Sequence, residues 1–250
     1  MNKGFYNLTS GMLTQGRYLD VISNNMSNVA TAGFKTDRFT ASTFGEVMWK
    51  MVSNKKKEGY VELGEQSWIT APDRMYTDYS QGALEETGQP LDFAIEGDGF
   101  FAIQTDAGRV LTRNGNFSLD EQGYLCLPGQ GRVLGAGGNP IQLVTDRIVT
   151  DGFGGIYTEN GGFLGRIGVF TVDDPVEELN KNDQGLFTGS DGTAATVKVH
   201  NGMLERANTD LVQQMVEMIS SERAYQSAAE VIKIYDQVLN RTTTEVGRLQ

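Results

Sequence analysis

Cysteine and histidine are almost absent: Cys126 and His200 are the only ones in 250 residues. One cysteine excludes a disulfide within the chain. A structural zinc site needs three or four Cys, His or acidic ligands at set spacings, and none of the usual patterns occurs, so no metal or other cofactor is expected. No unbroken apolar run exceeds the four residues Phe100-Phe101-Ala102-Ile103. Spanning a bilayer takes about 20, so the chain is not expected to cross one as a helix. The start, Met1-Asn2-Lys3-Gly4, leads into no apolar signal region and no A-x-A cleavage site. The expectation is a chain that stays in the cytosol or leaves it without a cleaved signal. Basic residues are outnumbered, 21 Lys and Arg against 32 Asp and Glu, giving net charge −11 and a pI of about 4.6. That balance disfavours nucleic acid and anionic membranes as partners. The one tight basic run, Lys55-Lys56-Lys57 with Lys50 and Glu58 nearby, has the pattern of a solvated loop.

What is present is organised in zones. Apolar residues make up 39% and mean hydropathy is −0.33, ordinary for a folded soluble chain. Of 31 glycines, 23 lie between Gly82 and Gly202, and no proline precedes Pro72 or follows Pro175. Both ends are thus free of the strongest helix breaker, while the middle is dense in turn residues. Near the N-terminus, Phe5, Leu8, Met12, Gln15, Leu19, Ile22, Met26 and Val29 recur in alternating steps of three and four, the seam of a coiled-coil helix. Thr31-Ala32-Gly33 supplies its stop. Near the C-terminus, Leu211, Met215, Met218, Glu222, Tyr225, Ala229, Ile232, Asp236, Leu239, Thr243 and Val246 repeat the spacing behind an N-cap signal, Asn208-Thr209-Asp210. Val212, Val216 and Ile219 widen its apolar face and predict contact with more than one neighbour.

The middle reads as short strands. Leu91, Phe93 and Ile95 alternate with Asp92, Ala94 and Glu96 ahead of a Gly97-Asp98-Gly99 turn. The stretch from Val110 to Leu119 predicts a hairpin about Asn114-Gly115, and Gly155 to Val172 another about Asn160-Gly161-Gly162. Thr196 to Leu204 predicts a last strand. The fold class is therefore α+β: N- and C-terminal helices forming a coiled-coil layer, with a Gly-rich all-β central module. The expected division is residues 1–33 and 205–250 for the two helices, 34–81 for an extended connecting arm and 82–204 for the β-rich domain.

Catalytic alternatives find little support. Asp92, Glu96 and Asp98 could in principle serve a glycosidase, but strand alternation places Asp92 and Glu96 on a solvated face. A Cys126–His200 dyad has no orienting motif. The Gly129 to Gly138 stretch lacks the GK[ST] ending and the following helix of a phosphate loop. His200 reads as a surface or packing residue. No catalytic residue is assigned, and the chain is expected not to be an enzyme.

Four motifs carry a resemblance. Asn24-Asn25-Met26-Ser27-Asn28 through Gly33-Phe34-Lys35 resembles the N-terminal signature of the flagellar rod and hook proteins, with Met26-Ser27 where Leu-Ala is usual. Gly82-Ala83-Leu84, Thr87-Gly88, Leu91 to Ile95 and Gly97-Asp98-Gly99-Phe100-Phe101 are similar to the core motif of that family. Thr112 to Phe117 with Gly123-Tyr124-Leu125 is a third match. The fourth is Leu204-Glu205, Asn208, Met215 to Ile219 and Arg223-Ala224-Tyr225, with Ala207 where serine is common.

The resemblance implies an axial protein of the bacterial flagellar basal body, exported across the inner membrane by the flagellar type III apparatus without a cleaved signal. Its implied partners are itself, other axial proteins of rod and hook, and that apparatus. The terminal helices would line the tube and the β-module would lie outside. The length leaves no room for the extra domains of hook proteins. The short segment from Phe34 to Gly82 and the Val133 to Ile141 stretch favour the proximal-rod (FlgF) type over the distal-rod (FlgG) type. The expected assembly interface is Leu8, Met12, Leu19, Ile22, Met26, Val29, Leu211, Met215, Met218, Tyr225, Ile232 and Leu239. The family-motif positions are Asn24, Asn25, Asn28, Gly33, Phe34, Gly97, Gly99, Phe100, Phe101, Asn114 and Gly115. The remoter alternatives are a cell-wall hydrolase using the acidic cluster and a carbohydrate-binding module. The latter should expose grouped aromatics, and Trp49 and Trp68 both fall in the arm.

Overall fold

The computed structural model describes residues 3–43, 70–143, 147–182 and 184–248. Lys50, Lys55-Lys56-Lys57, Glu58, Trp49 and Trp68 lie outside the described residues. The order of elements is α+β, with a helix at each end: α1 (Lys3–Ser27), strands, a single-turn α2 (Pro175–Glu178), further strands and α3 (Leu211–Arg248). At 1.5 Å per residue, α1 is about 37 Å long and α3 about 57 Å. The chain forms two compact units. One contains Met1–Met26, Asp37–Tyr76 and Leu211–Gln250; the other contains Ser27–Thr36 and Thr77–Asp210.

In the helical unit, β1 (Asp37–Thr43) pairs with β2 (Thr70–Thr77). Asn25 clasps the start of β1 at two points: its Nδ2 donates to the Asp37 carbonyl at 2.9 Å, and its Oδ1 accepts from the Asp37 amide at 3.0 Å. Tyr18 packs against Phe39, ring centroids 6.1 Å apart.

The β-unit is built around β5 (Phe100–Thr105), the strand that carries the apolar run. Its side chains alternate between two cores. Phe101 and Ile103 join Phe93, Ile95, Phe117, Leu125, Val133, Ile156 and Val199, whereas Phe100 and Ala102 join Leu111, Leu134, Phe170 and Phe187. Burial on both faces explains why this strand is continuously apolar. Strand β6 (Gly108–Thr112) pairs with β5 from Thr105↔Gly108 to Phe101↔Thr112, so the hairpin runs through Asp106-Ala107.

The predicted Asn114-Gly115 hairpin does not form. β6 pairs with β15 (Phe187–Thr188) on its other side, and β7 (Ser118–Leu119) pairs instead with β8 (Leu125–Leu127). Gly115 serves close packing: its carbonyl accepts from the Phe93 amide at 3.0 Å, and a Cβ there would collide with the Phe93 carbonyl. Gly115→Ala therefore overpacks this crossing and lowers stability by about 1–3 kcal/mol, which thermal unfolding measures.

The second predicted hairpin forms over β11 (Gly155–Thr158) and β12 (Phe163–Arg166). The chain then leaves that sheet, and β13 (Val169–Thr171) pairs with β5. The expected last strand is two. Gly202, at φ 71°, separates β17 (Lys198–Asn201) from β18 (Met203–Glu205), which pair with β4 (Phe93–Glu96) and β3 (Leu84–Glu86) respectively.

The acidic strand face is also corrected. Asp92 is buried, with its carboxylate accepting from Thr87 Oγ1 at 2.6 Å and Asn116 Nδ2 at 2.9 Å. Burial is tolerated because both oxygens are satisfied. Glu96 is exposed, and its Oε2 is hydrogen-bonded to His200 Nε2 at 2.8 Å. That hydrogen bond, with Lys198 nearby, holds its carboxyl below the usual range.

Candidate assembly interface and the node behind it

The two terminal helices run antiparallel, because rising positions on α1 meet falling positions on α3. Gln15 Oε1 accepts from Ser221 Oγ at 2.7 Å, Tyr18 Oη donates to Glu217 Oε2 at 2.9 Å, and Asn25 Nδ2 donates to Gln214 Oε1 at 3.4 Å. Steps of three and four keep each set on one helix face. The Tyr225 ring lies beside Gly16, where a Cβ would stand 3.9 Å from Cε2, an ordinary contact. These polar contacts lie beside half-buried apolar positions, and Ile22 on α1 is buried at 1% exposed.

Tyr18 is pushed up to about 12 by burial, by its hydrogen bond to Glu217 and by that carboxylate's charge. A raised pKa favours the protonated form in the folded state. The contribution is complete below the ordinary tyrosine value of 10.0 and is lost as pH rises through about 12. Titrating helical ellipticity should show this alkaline loss, and Tyr18→Phe should remove it from that window.

The expected interface residues divide between faces. Leu8, Met12, Leu19, Met26 and Val29 are half-buried, as are Met218, Tyr225 and Ile232 on α3, whereas Leu211, Met215 and Leu239 are exposed. At about 100° per residue, the covered face of α3 is marked by Gln214, Met218, Ser221, Tyr225 and Ile232. A second apolar stripe lies on the far side: Val212 (69% exposed), Val216 (62%), Ile219 (53%), Ile234 (54%) and Val238 (55%). Val216, Ile219, Ile234 and Val238 each stay more than half exposed among the described residues. A helix with an apolar stripe on each side has one to spend on another molecule.

The family-motif positions fall elsewhere. Asn24 is exposed, Asn25 forms the clasp on β1, and the Asn28 carboxamide oxygen accepts from Thr31 Oγ1 at 3.3 Å. Gly33, at φ 68°, is pressed against the Arg113 backbone, where a Cβ would clash. Phe34 is buried, with the Lys181 ammonium 3.7 Å from its ring centroid. Gly97 and Gly99, at φ 101° and 142°, turn the chain from β4 into β5. Phe100 and Phe101 belong to the two cores. Asn114 Oδ1 accepts from the Asn116 amide at 3.0 Å, beside Gly115.

One cluster went unmarked although its letters lie in the motifs. Lys35, Arg113 and Glu205 are each nearly inaccessible, at 1%, 3% and 1%. Glu205 Oε1 accepts from Lys35 Nζ at 2.6 Å and from the Gly82 amide at 2.9 Å, while Oε2 accepts from Arg113 Nη1 at 3.2 Å. Burial pulls both cations below their ordinary pKa values despite the carboxylate between them. Single charges in short strands resemble solvated positions, so nothing local announces their burial.

Comparison with known proteins places these segments. Three family models match: "Flagella basal body rod protein" over 5–35, "Flagellar hook protein FlgE/F/G D1 domain" over 94–164, and "Flagellar basal body rod FlgEFG protein C-terminal" over 200–245. The chain is 33% identical over 260 residues to the flagellar basal-body rod protein FlgG of Bacillus subtilis, covering 96% of this chain and 97% of that protein. It is 31% identical over 238 residues to FlgF of Mesorhizobium japonicum, covering 93% of each chain. It is also 31% identical over 255 residues to FlgF of Caulobacter vibrioides, covering 100% of this chain and 98% of that one. A helix–β–helix chain with matches at both ends and in the β core is a protein of the flagellar axis. The chain belongs to the flagellar basal-body rod protein family.

Proposed function

We propose that this chain is a structural subunit of the flagellar rod that polymerises through its terminal helices and passes torque along the stiff helical layer so formed. The observation that carries the reading is the second apolar stripe of α3, Val216, Ile219, Ile234 and Val238, each more than half exposed among the described residues. Removing apolar surface from water contributes about 25 cal/mol per Å², so several such side chains per subunit supply a repeated favourable contact. The same copies, and other axial proteins of rod and hook, are the partners. Delivery by the flagellar export apparatus without a cleaved signal belongs to this reading, as does a coiled-coil inner layer made by the two helices. Residues 1–33 and 205–250 would then build that layer, with 34–81 as the connecting arm and 82–204 as the β-rich domain.

The role is structural and not catalytic. The carboxylates that a hydrolase would need are occupied, Asp92 by Thr87 and Asn116, and Glu96 by His200. Between rod types, the proximal FlgF type is favoured over the distal FlgG type by the short connection between Phe34 and Gly82. Electron microscopy of the purified chain under polymerising conditions tests the proposal. Filaments are expected from the full chain and none from a version trimmed to residues 33–208. Equal filaments from both would overturn it.

A further inference from the structure

The β-unit contains the two stretches through which the chain departs towards its ends, 27–36 after α1 and 206–210 before α3. They are about 170 residues apart in sequence but meet at Glu205, which directly precedes the second stretch and binds the first. Glu205 holds Lys35 by its side chain and Gly33 by its backbone, the Gly33 amide donating to the Glu205 carbonyl at 2.7 Å. The next amide, Arg206, donates to the Ala83 carbonyl at 2.9 Å. Lys35 Nζ also donates to the Ser80 carbonyl at 2.8 Å, and Arg113 Nη2 to the Gly97 carbonyl at 2.8 Å. A second tie repeats the arrangement. Asn208 Oδ1 accepts from the Thr36 amide at 2.7 Å, and its Nδ2 donates to the Asp78 carbonyl at 2.8 Å.

We propose that Glu205 couples the two stretches, so that they open from the β-unit as one event and neither lets go alone. The charges demand it. Two cations face one carboxylate, with Asp78 and Asp98 acting on Lys35 and Arg113 from further away. Withdrawing Lys35 removes one of the three donors on the Glu205 carboxylate, and withdrawing Glu205 strands two cations in a region too dry to solvate them. Either departure removes the reason for the other stretch to stay. The proposal concerns the isolated chain and does not depend on polymerisation.

Hydrogen exchange of the full-length monomer, read at the Gly33 and Arg206 amides with the Phe101 and Ile103 amides of β5 as the reference, tests the coupling. The wild type should protect Gly33 and Arg206 to a common level. Lys35→Met should speed exchange at both by the same factor, about tenfold or more, while the β5 amides hold. Glu205→Gln should speed both by about a hundredfold or more. If Glu205→Gln unfolds the whole unit, Lys35→Met decides alone. Faster exchange at Gly33 with Arg206 unchanged would overturn the proposal, because the stretches would then be independent. In Lys35→Met, acceleration at Phe101 and Ile103 equal to that at Gly33 and Arg206 would overturn it too, since the cluster would then be a general stabiliser.

Discussion

Replacing Val216 and Ile219 together by aspartate abolishes filament formation at concentrations where the wild type assembles, while helical content and thermal unfolding of the monomer stay close to wild type. Both side chains are more than half exposed in the single chain, so the substitutions remove little that holds the monomer together. In a polymer contact each would bury an apolar surface worth about 1.5–3 kcal/mol, and an unpaired aspartate there costs more again. Losing about 3 kcal/mol per contact weakens it more than a hundredfold. Every subunit repeats the loss. Ile22→Asp would be a poorer probe despite its place in the α1 stripe: Ile22 is buried within the monomer, so a charge there disrupts the helical unit itself.

Glu205→Gln is expected to produce the largest loss of monomer stability, about 3–5 kcal/mol for the β-unit. The loss comes less from the ion pairs forgone than from what remains, two buried cations without their counter-charge. Lys35→Met leaves Arg113 and Glu205 as a one-to-one pair and should cost clearly less. Urea denaturation followed by circular dichroism compares the two. A Glu205→Gln variant as stable as the Lys35→Met variant would show that the excess positive charge is not the governing term.

Much of this was legible because local chemistry and tertiary need agree over long stretches. Proline-free ends with three–four spacing gave α1 and α3, and Asn208-Thr209-Asp210 stands directly before α3 at Leu211. The Phe100 to Ile103 run marked a strand buried on both sides. Failures cluster where a residue answers to a distant partner. Asn114-Gly115 has the letters of a tight turn, yet Gly115 is small because the Phe93 backbone crosses there. Asp92 alternates like a solvated residue, but it is buried, its carboxylate met by Thr87 and by Asn116, 24 positions away. Lys35, Arg113 and Glu205 read separately as ordinary charges. Only the fold joins them. Val212, Val216 and Ile219 widened the apolar face of α3 already in the sequence, but their position opposite the Gln214–Ser221 seam required the helix pair itself.

The most direct measurement is thiol accessibility at position 216. In a Cys126→Ser background, Val216→Cys supplies the single thiol, which a maleimide labels in monomer and in assembled filament. Burial of the outer face of α3 between subunits predicts rapid labelling of the monomer and at least about tenfold slower labelling of the filament. A thiol labelled as fast in the filament as in the monomer would mean that assembly leaves this stripe in water, and would contradict the account.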